Sequence, residues 1–305
     1  MTILIMKETQ CGSIWCYTVG HKGGVLEPWL PKQIIHDLAT VGIGNERIGI
    51  KSDQESNITA LANEIARLRG GSAGTALDES RVSDSNSNAT AEVAVQEGKG
   101  MIRTIRSALE GRIGAAIPLD HPIVPWMVRF SGMNINRFQI RSDGVTAYQH
   151  MKGYKGVLPL GEFGEVVHFR QHNALKLGDY VDRYEDGVWL GLDPRSGENI
   201  IGTSSGVYRS GSVRRKAQDM MWSKEMLDKV VGTPETPVPG KDSGRPPTYG
   251  QVDENATAVV QAPVYISGPM PERQTRQMAI RRSDVLEHGP SDRCVGCRCV
   301  MMGEK

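Results

Sequence analysis

The stretch from Glu92 to Glu110 constrains the fold of this chain more than any other. At about 100° per residue, its small and apolar residues share one helix face: Ala94, Gly98, Met101, Ile102, Ile105, Ala108 and Leu109. A narrow stripe on the opposite face holds Glu92, Gln96, Lys99, Arg103, Arg106 and Glu110. The pattern predicts a long amphipathic helix that covers a hydrophobic core.

The charged stripe of this helix has two interpretations. Most amphipathic helices simply turn their charged residues toward solvent. A carboxylate followed by three cations would also suit a metal-binding residue beside a track for a phosphate backbone. The helix pattern by itself leaves both interpretations open.

A short strand is predicted from Arg47 to Asp53. Ile48 and Ile50 alternate with small or charged neighbours, which is the period of a half-buried strand. Asp53 then stands where the strand opens into a loop, a common place for functional side chains.

Further patterns complete a predicted α/β core over residues 1–150. They indicate a hairpin over 1–20 with a short turn at 9–12, helices over 28–41 and 55–69, a loop over 70–90 containing a weak strand near Thr75–Leu77, and a helix from His121 through Arg137. His121 precedes a proline at a helix start, so a structural role is favoured over metal binding.

The amino-acid sequence of these segments resembles that of a known family. KSDQES, followed by SNSNATAEVAVQEGKGMIRTIRSALE, is similar to the integrase of Copia-like retrotransposon polyproteins. The similarity continues through HPIVPWMVRFSGMNINRF, DGVTAYQHMKG and GVWLGLDPRSGENIIGTSSGVYRSGSVRRK, and so covers most of residues 1–216. It implies an RNase H-like core, a mixed sheet flanked by helices, with an Asp-Asp-Glu catalytic triad.

The resemblance assigns roles to individual residues. Asp53 matches the second catalytic Asp and Glu92 the catalytic Glu, 39 positions later (92 − 53). Together they would bind Mg²⁺ or Mn²⁺, hard cations that prefer carboxylate oxygens, for DNA integration by strand transfer with two metal ions. Lys99 matches a basic helix position that faces nucleic acid, and Arg103 and Arg106 extend that stripe.

Two departures from the family pattern weaken the catalytic assignment. Ala89 and Val93 stand where relatives often have Gly and Arg. The family's first strand, which carries the first Asp and lies centrally in the sheet, has no counterpart before the hairpin. We therefore expect an N-terminally truncated core, impaired strand transfer, and a hairpin poorly joined to the Asp53 strand.

Residues 157–216 change character and predict a small antiparallel β module, SH3-like or simpler. Alternating apolar residues are separated there by Gly-rich turns. The segment ends in a basic cluster of Arg214, Arg215 and Lys216, and the resemblance makes this module a second DNA contact. A helix over 217–231 and a disordered Pro-rich linker over 232–263 are predicted to follow.

The tail over 264–305 ends in a cysteine cluster. Cys294 and Cys297 form a C-x-x-C pair with Cys299 nearby, and His288 offers a further ligand. A structural zinc site needs four ligands, so free thiols are favoured and zinc remains the alternative.

Composition limits the partners. The formal net charge is +1, so nucleic-acid binding requires local basic patches. No apolar run approaches the length of a membrane span. Five cysteines without a secretory signal favour a reducing compartment, nuclear or cytoplasmic rather than secreted. The resemblance implies a homo-oligomer on DNA; the alternative is a non-catalytic nucleic-acid-binding protein on a decayed integrase core.

Overall fold

The computed structural model describes residues 2–20, 28–52, 55–79, 89–156, 159, 161–170, 182–240 and 285. Apart from Val285, these residues belong to one compact unit, Met1–Thr257. Its strands are β1 (Thr2–Lys7), β2 (Ile14–Val19), β3 (Ile48–Ser52), β4 (Thr75–Glu79), β5 (Val166–Arg170), β6 (Tyr184–Leu192), β7 (Asn199–Thr203), β8 (Gly206–Ser210) and β9 (Val213–Arg215). Its helices are α1 (Trp29–Thr40), α2 (Ser56–Ala73), α3 (Ala89–Ile113), α4 (Ile123–Phe138), α5 (Ala147–Lys152) and α6 (Lys224–Asp228).

The predicted α/β class is confirmed, and the predicted elements of the first half are present. The ladder of the hairpin runs to Lys7 and Ile14, and the Glu8 N–H still donates to the Ser13 carbonyl at 2.8 Å, so the turn lies over residues 9–12 as predicted. The Glu8 carboxylate stabilises this turn by accepting hydrogen bonds from the backbone N–H groups of Gln10 and Cys11, at 2.6 and 2.7 Å.

The four strands of the first half form two separate ladders. β1 pairs with β2 in antiparallel fashion, and β3 pairs with β4 in parallel. Within the described ranges, neither pair is hydrogen-bonded to the other. The expectation that the hairpin would be poorly joined to the Asp53 strand is therefore confirmed, whereas a continuous RNase H-like sheet is not seen among these residues.

The hairpin lies between two helical layers. Leu4 and Met6 pack with Tyr17 on one face, in a cluster completed by α1 and α2. Ile3 and Ile5 point to the other face, in a cluster formed with α3 and α4. This alternation is the period of two that a strand buried on both faces requires.

The β module is a five-stranded antiparallel sheet in the order β8-β7-β6-β5-β9, as predicted in type. Its core is not its own, because Trp189 and Ile201 pack in one cluster with Trp126 of α4 and Leu109 of α3. The predicted boundary between residues 150 and 157 therefore does not separate two hydrophobic cores.

The segment after the module corrects the sequence prediction. In place of one helix over 217–231 the chain forms a 3₁₀ turn at Gln218–Met220 and then α6. Residues 232–240, predicted as part of a disordered linker, pack on α4 and on the module: the Gly232 carbonyl accepts from Trp126 Nε1 of α4 at 2.9 Å, and the Pro237 carbonyl accepts from the Val207 N–H of β8 at 2.7 Å. Pairing with buried donors offsets the entropic cost that the Pro-rich composition suggested would dominate.

None of the helices in the described part of the chain has the length and apolar character needed to cross a membrane.

Candidate nucleic-acid interface

The outer face of α3 presents the charged stripe that the sequence singled out. Glu92 lies in the first turn of the helix, where a carboxylate is favoured by the unpaired N–H groups. Exposed positions along the stripe are Glu92, Gln96, Lys99 and Arg103, and buried positions on the opposite face are Ala94, Gly98, Ile105 and Leu109. The predicted two-faced helix is confirmed, except that Ala108 of the predicted apolar face is exposed.

Close packing against the hairpin fixes which way this stripe points. A Cβ atom at Gly98 would lie 2.6 Å from Ile5 Cδ1 and 3.3 Å from Cys16 Sγ, so only glycine allows α3 to approach the strands so closely. Lys7 of β1 also pairs with Glu97 at 3.6 Å. These contacts hold α3 by its apolar side and leave the stripe at the surface.

Lys99 and Arg103 are exposed cations on α3. Neither has an acidic partner among the residues that the structure describes, and Arg103 Nε donates to the Lys99 carbonyl oxygen at 3.3 Å. Four residues apart, they stand about 6 Å from each other along the helix axis. Cations that no carboxylate neutralises are available to phosphate groups.

Arg106, the third cation of the stripe, is engaged within the protein. It donates to Glu110 Oε1 at 2.9 Å and to the Ile117 carbonyl at 2.7 Å. Glu110 in turn accepts from the Ile117 N–H at 2.8 Å. That backbone bond, followed by the Arg106 bond, lowers the pKa of Glu110. Arg106 and Glu110 therefore fix the connection between α3 and α4, and a nucleic-acid contact for Arg106 stays a prediction.

Two cations of the basic cluster at the end of the module also form internal ion pairs. Arg215 donates to both carboxylate oxygens of Glu165, at 2.8 and 2.9 Å, and the Glu165 side chain is fully buried. This bond raises the pKa of Arg215. Lys216 pairs with Asp186 of β6. These ion pairs hold Arg215 next to the start of β5 and Lys216 against β6. A role in nucleic-acid binding remains a prediction for both residues.

Arg214 is different from its two neighbours. Its guanidinium lies over the Tyr184 ring, 4.8 Å from the ring centroid, and the residue is exposed. It has no acidic partner within the described ranges. Stacking on an aromatic ring orients a guanidinium without neutralising its charge.

The predicted metal pair is only half described. Asp53 lies outside the described residues; it directly follows Ser52, which stands opposite Glu79 at the ends of β3 and β4. Glu92 is exposed and has the oxygen donors that Mg²⁺ and Mn²⁺ prefer. No group of three or more His, Cys, Asp or Glu side chains converges within the described part of the chain. Metal binding by Asp53 and Glu92 stays a prediction.

Cys294 and Cys297, for which free thiols are the prediction and zinc binding the alternative, also lie outside the described residues. The structural role predicted for His121 is confirmed, because its Nδ1 accepts a hydrogen bond from the Ile123 N–H at 3.1 Å, at the start of α4. Burial lowers the pKa of His121, which favours the neutral ring that this bond requires.

Sequence reasoning missed a buried polar network between the hairpin and α1. Asp37, 4% exposed, accepts from Tyr17 Oη at 2.8 Å and from Gln33 Nε2 at 2.9 Å. Burial and then the Asp37 charge raise the pKa of Tyr17 well above its ordinary value. The sequence carries a signal for this network: Gln33 and Asp37 lie next to Leu30 and Ile34 on α1, so two polar side chains border an apolar helix face.

Comparisons with known proteins add little to this geometry. No protein-family model matches the chain, and no curated protein matches it. Among solved structures, a chain from the simian T-cell lymphotropic virus intasome in complex with PP2A regulatory subunit B56 gamma is similar over 70% of this chain and 72% of that chain, with 10% sequence identity and a TM-score of 0.38. Those values are below the level at which a structural likeness establishes a shared fold.

Proposed function

We propose that this chain binds DNA through the exposed stripe of α3. One observation carries the proposal: Lys99 and Arg103 stand one helical turn apart with no carboxylate partner in the described structure, on a helix whose other side is packed against β1 and β2. A rigid helix holding two unneutralised cations is pre-organised for neighbouring phosphates. Arg214 is the second contact that we include.

Electrostatics predicts how this binding responds to salt. The chain has a formal net charge of +1, so attraction to DNA comes from these local cations and not from an overall field. Each phosphate neutralised by a Lys or Arg lowers the slope of log K against log salt by about 0.9 on duplex DNA.

The test is fluorescence anisotropy of a labelled duplex with the 305-residue chain over a series of salt concentrations. We expect the double variant Lys99→Ala, Arg103→Ala to bind more weakly and to have a slope that is less negative by about 2. The control double variant is Lys224→Ala, Lys229→Ala, which removes the same charge from residues already paired with Asp228 and Glu225. Equal affinity and slope for the two double variants would contradict the proposal.

We further propose that Asp53 and Glu92 form the divalent-metal site implied by the resemblance to Copia-like integrases. A bound Mg²⁺ or Mn²⁺ would supply charge stabilisation for phosphoryl transfer; the two carboxylates would hold it, and the α3 cations would position the DNA backbone beside it.

Isothermal titration with Mg²⁺ and Mn²⁺ tests the metal site separately from DNA binding. The matched variants are Asp53→Asn and Glu92→Gln, which keep side-chain shape and remove charge. Metal binding that disappears in both variants supports a shared site. Binding that survives either substitution, or that is absent from the unmodified chain, rejects it and favours the alternative of a non-catalytic DNA-binding protein. Efficient Mg²⁺-dependent strand transfer would show that the expected impairment is wrong.

A further inference from the structure

A cavity of about 90 Å³ lies where β2, α4 and β6 meet, and we call it the junction cavity. Its inner wall is apolar and buried, and includes Ile14 and Tyr17 of β2, Trp126 and Phe130 of α4, Leu190 of β6 and Ile200 of β7. Its rim is half-buried, with Thr40 and Val41 at the end of α1, Lys152 of α5 and Leu192 of β6. An apolar interior behind a half-exposed rim is the common form of a small-molecule site.

The backbone of β6 shapes one wall of the junction cavity. The register between β6 and β7 shifts between Trp189 and Gly191, so β6 contains a bulge at Leu190. Gly191 has a φ of 134°, and a Cβ atom there would lie 3.2 Å from Phe130 Cδ2. Glycine therefore allows β6 to bend beside α4. Bulges of this kind bend a strand and are frequent next to functional sites.

The described lining of the junction cavity carries more positive than negative charge. It has three cations and one carboxylate, and these belong to Arg129, Arg137, Lys152 and Asp37. Asp37 is 4% exposed and already accepts two hydrogen bonds within the protein, whereas Lys152 lies on the half-exposed rim. Charge complementarity therefore favours an anionic group at the rim.

α5 holds Lys152 at one end of this rim. The Arg137 guanidinium of α4 lies 4.5 Å from the centroid of the Tyr148 ring, which fastens α5 to α4. Lys152 follows Tyr148 by four residues in α5, so the two side chains share one side of the helix. Both residues line the junction cavity, so the ammonium group borders its opening.

We propose that the junction cavity binds a small carboxylic acid, whose apolar part enters the cavity and whose carboxylate pairs with Lys152 at the rim. Size limits the apolar part. A dry apolar cavity of about 150 Å³ binds benzene, so by the same ratio a cavity of about 90 Å³ accommodates about four carbon atoms. None of the described lining residues belongs to the charged stripe of α3, so this site is independent of the proposed DNA contact.

The probe for the experiment is 3-methylbutanoate, whose branched apolar part has this size. Its binding to the 305-residue chain is followed by NMR of chains labelled with ¹³C at the methionine methyl groups. Met133 and Met151 line the junction cavity, whereas Met220 is 60% exposed and lies outside the lining. We expect saturable shifts of the Met133 and Met151 signals and no shift of the Met220 signal.

Three matched ligands separate the role of the carboxylate from that of the apolar part. 3-Methylbutan-1-amine and 3-methylbutan-1-ol keep the apolar part and replace the anion by a cation or a neutral group. Acetate keeps the carboxylate and lacks the branched apolar part. We expect each of the three to bind at least about fivefold more weakly than 3-methylbutanoate. Equal or tighter binding of the amine or the alcohol would overturn the anionic specificity, and equal binding of acetate would overturn the use of the cavity.

Lys152→Met and Lys155→Met are the matched variants of the chain. Both remove a charge and keep an unbranched side chain, but Lys155 is exposed and lies outside the cavity lining. We expect about fivefold weaker binding of 3-methylbutanoate for Lys152→Met and no change for Lys155→Met. Equal affinities of the two variants, or no saturable shift in the unmodified chain, would overturn the proposal.

A third variant fills the junction cavity from its rim. Val41 is half-buried at the end of α1 and lies outside the buried clusters of the protein. Val41→Trp places a large side chain at the opening and should abolish the shifts at Met133 and Met151. Unchanged binding by this variant would show that the ligand binds elsewhere. The ligand series needs no substitution, so it keeps the test decisive if a variant disturbs folding.

Discussion

The two halves of this protein each have a buried hydrophobic cluster, but they differ in how completely their described strands pair with one another. In the module half, α3, α4 and β5 to β9 share one cluster in which Trp126 and Trp189 are fully buried, and the strands form one continuous sheet. In the strand-pair half, β1, β2 and β3 share a cluster with α1 and α2, yet among the described residues β1 to β4 form two separate ladders. The difference teaches that side chains can share one core although their strands do not pair with each other. Hydrophobic packing is non-directional, whereas hydrogen bonds are directional.

The largest expected effect tests the closed core. Trp189 is fully buried, meets Phe130 edge-on at 5.6 Å and donates from Nε1 to Asn199 at 2.9 Å. We expect Trp189→Ala to lower the free energy of unfolding by about 3–5 kcal/mol, because it leaves a large cavity. Trp15→Ala, at a partly buried tryptophan of the strand-pair half, should cost about half as much. Urea denaturation compares the two, and equal losses would break the contrast between the halves.

A smaller effect is expected at the edge of β2, where the Asn136 side chain of α4 pairs with the backbone of Ile14. Asn136→Ala removes both hydrogen bonds to Ile14 and leaves a buried N–H and C=O unpaired. We expect a loss of about 1–3 kcal/mol of unfolding free energy and faster hydrogen exchange at Ile14. The control is Asn134→Ala on the same helix, whose side chain meets only Met101 Sδ at 3.7 Å. A loss no larger than that of the control would show that the edge of β2 is not stabilised by Asn136.

Acid should weaken the module half through Asp193, at the turn between β6 and β7. Burial alone would raise the pKa of Asp193, but the backbone N–H groups of Ser196 and Arg195 and the Arg209 cation bring it below its ordinary value of 3.8. A lowered folded-state pKa stabilises the fold above the unfolded pKa, and this contribution is lost as pH falls through the folded pKa. Asp193→Asn should therefore remove about 1–2 kcal/mol at neutral pH and flatten the loss of stability on acidification. Thermal melts at a series of acidic pH values measure this loss of stability. The control is Asp182→Asn, at an exposed carboxylate. Parallel pH profiles for the unmodified chain and Asp193→Asn would refute the role of Asp193.

Glycine-to-threonine substitutions should change the free energy of unfolding in opposite directions in the two halves, and the gain at Gly49 is the smallest effect expected. A Cβ atom at Gly49 of β3 would meet nothing within 4 Å, whereas one at Gly187 of β6 would lie 2.3 Å from Ile201 Cγ2. Gly49→Thr should add about 0.5 kcal/mol, since threonine loses less entropy than glycine in a strand. Gly187→Thr should instead destabilise by about 1–3 kcal/mol through overpacking. Denaturation midpoints that shift in the same direction for both would contradict the distinction between an open and a filled sheet.

The local sequence pattern predicted many of the helices and strands in the first half and the exposed face of α3. The period of the apolar residues in α3 was enough to place Lys99 and Arg103 on its exposed face, because a helix face depends only on spacing along the chain. The strand at Ile48–Ser52 and the weak strand near Thr75 followed from the same kind of local signal. The segment over 217–240 was predicted less well, because tertiary hydrogen bonds decide its conformation.

The sequence by itself determined many of the helices and strands of the first half and which faces of α3 are apolar or charged. Only the tertiary structure decided which cations remain available: Arg106 and Arg215 are neutralised by Glu110 and Glu165, whereas Lys99 and Arg103 have no carboxylate partner in the described chain. It also decided that β1–β2 and β3–β4 form separate ladders among the described residues, and that Asn136 pairs with the backbone of Ile14. The physical reason is distance along the chain: periodicity is a property of neighbours, whereas ion pairs such as Arg215 with Glu165, fifty residues apart, exist only after the chain has folded.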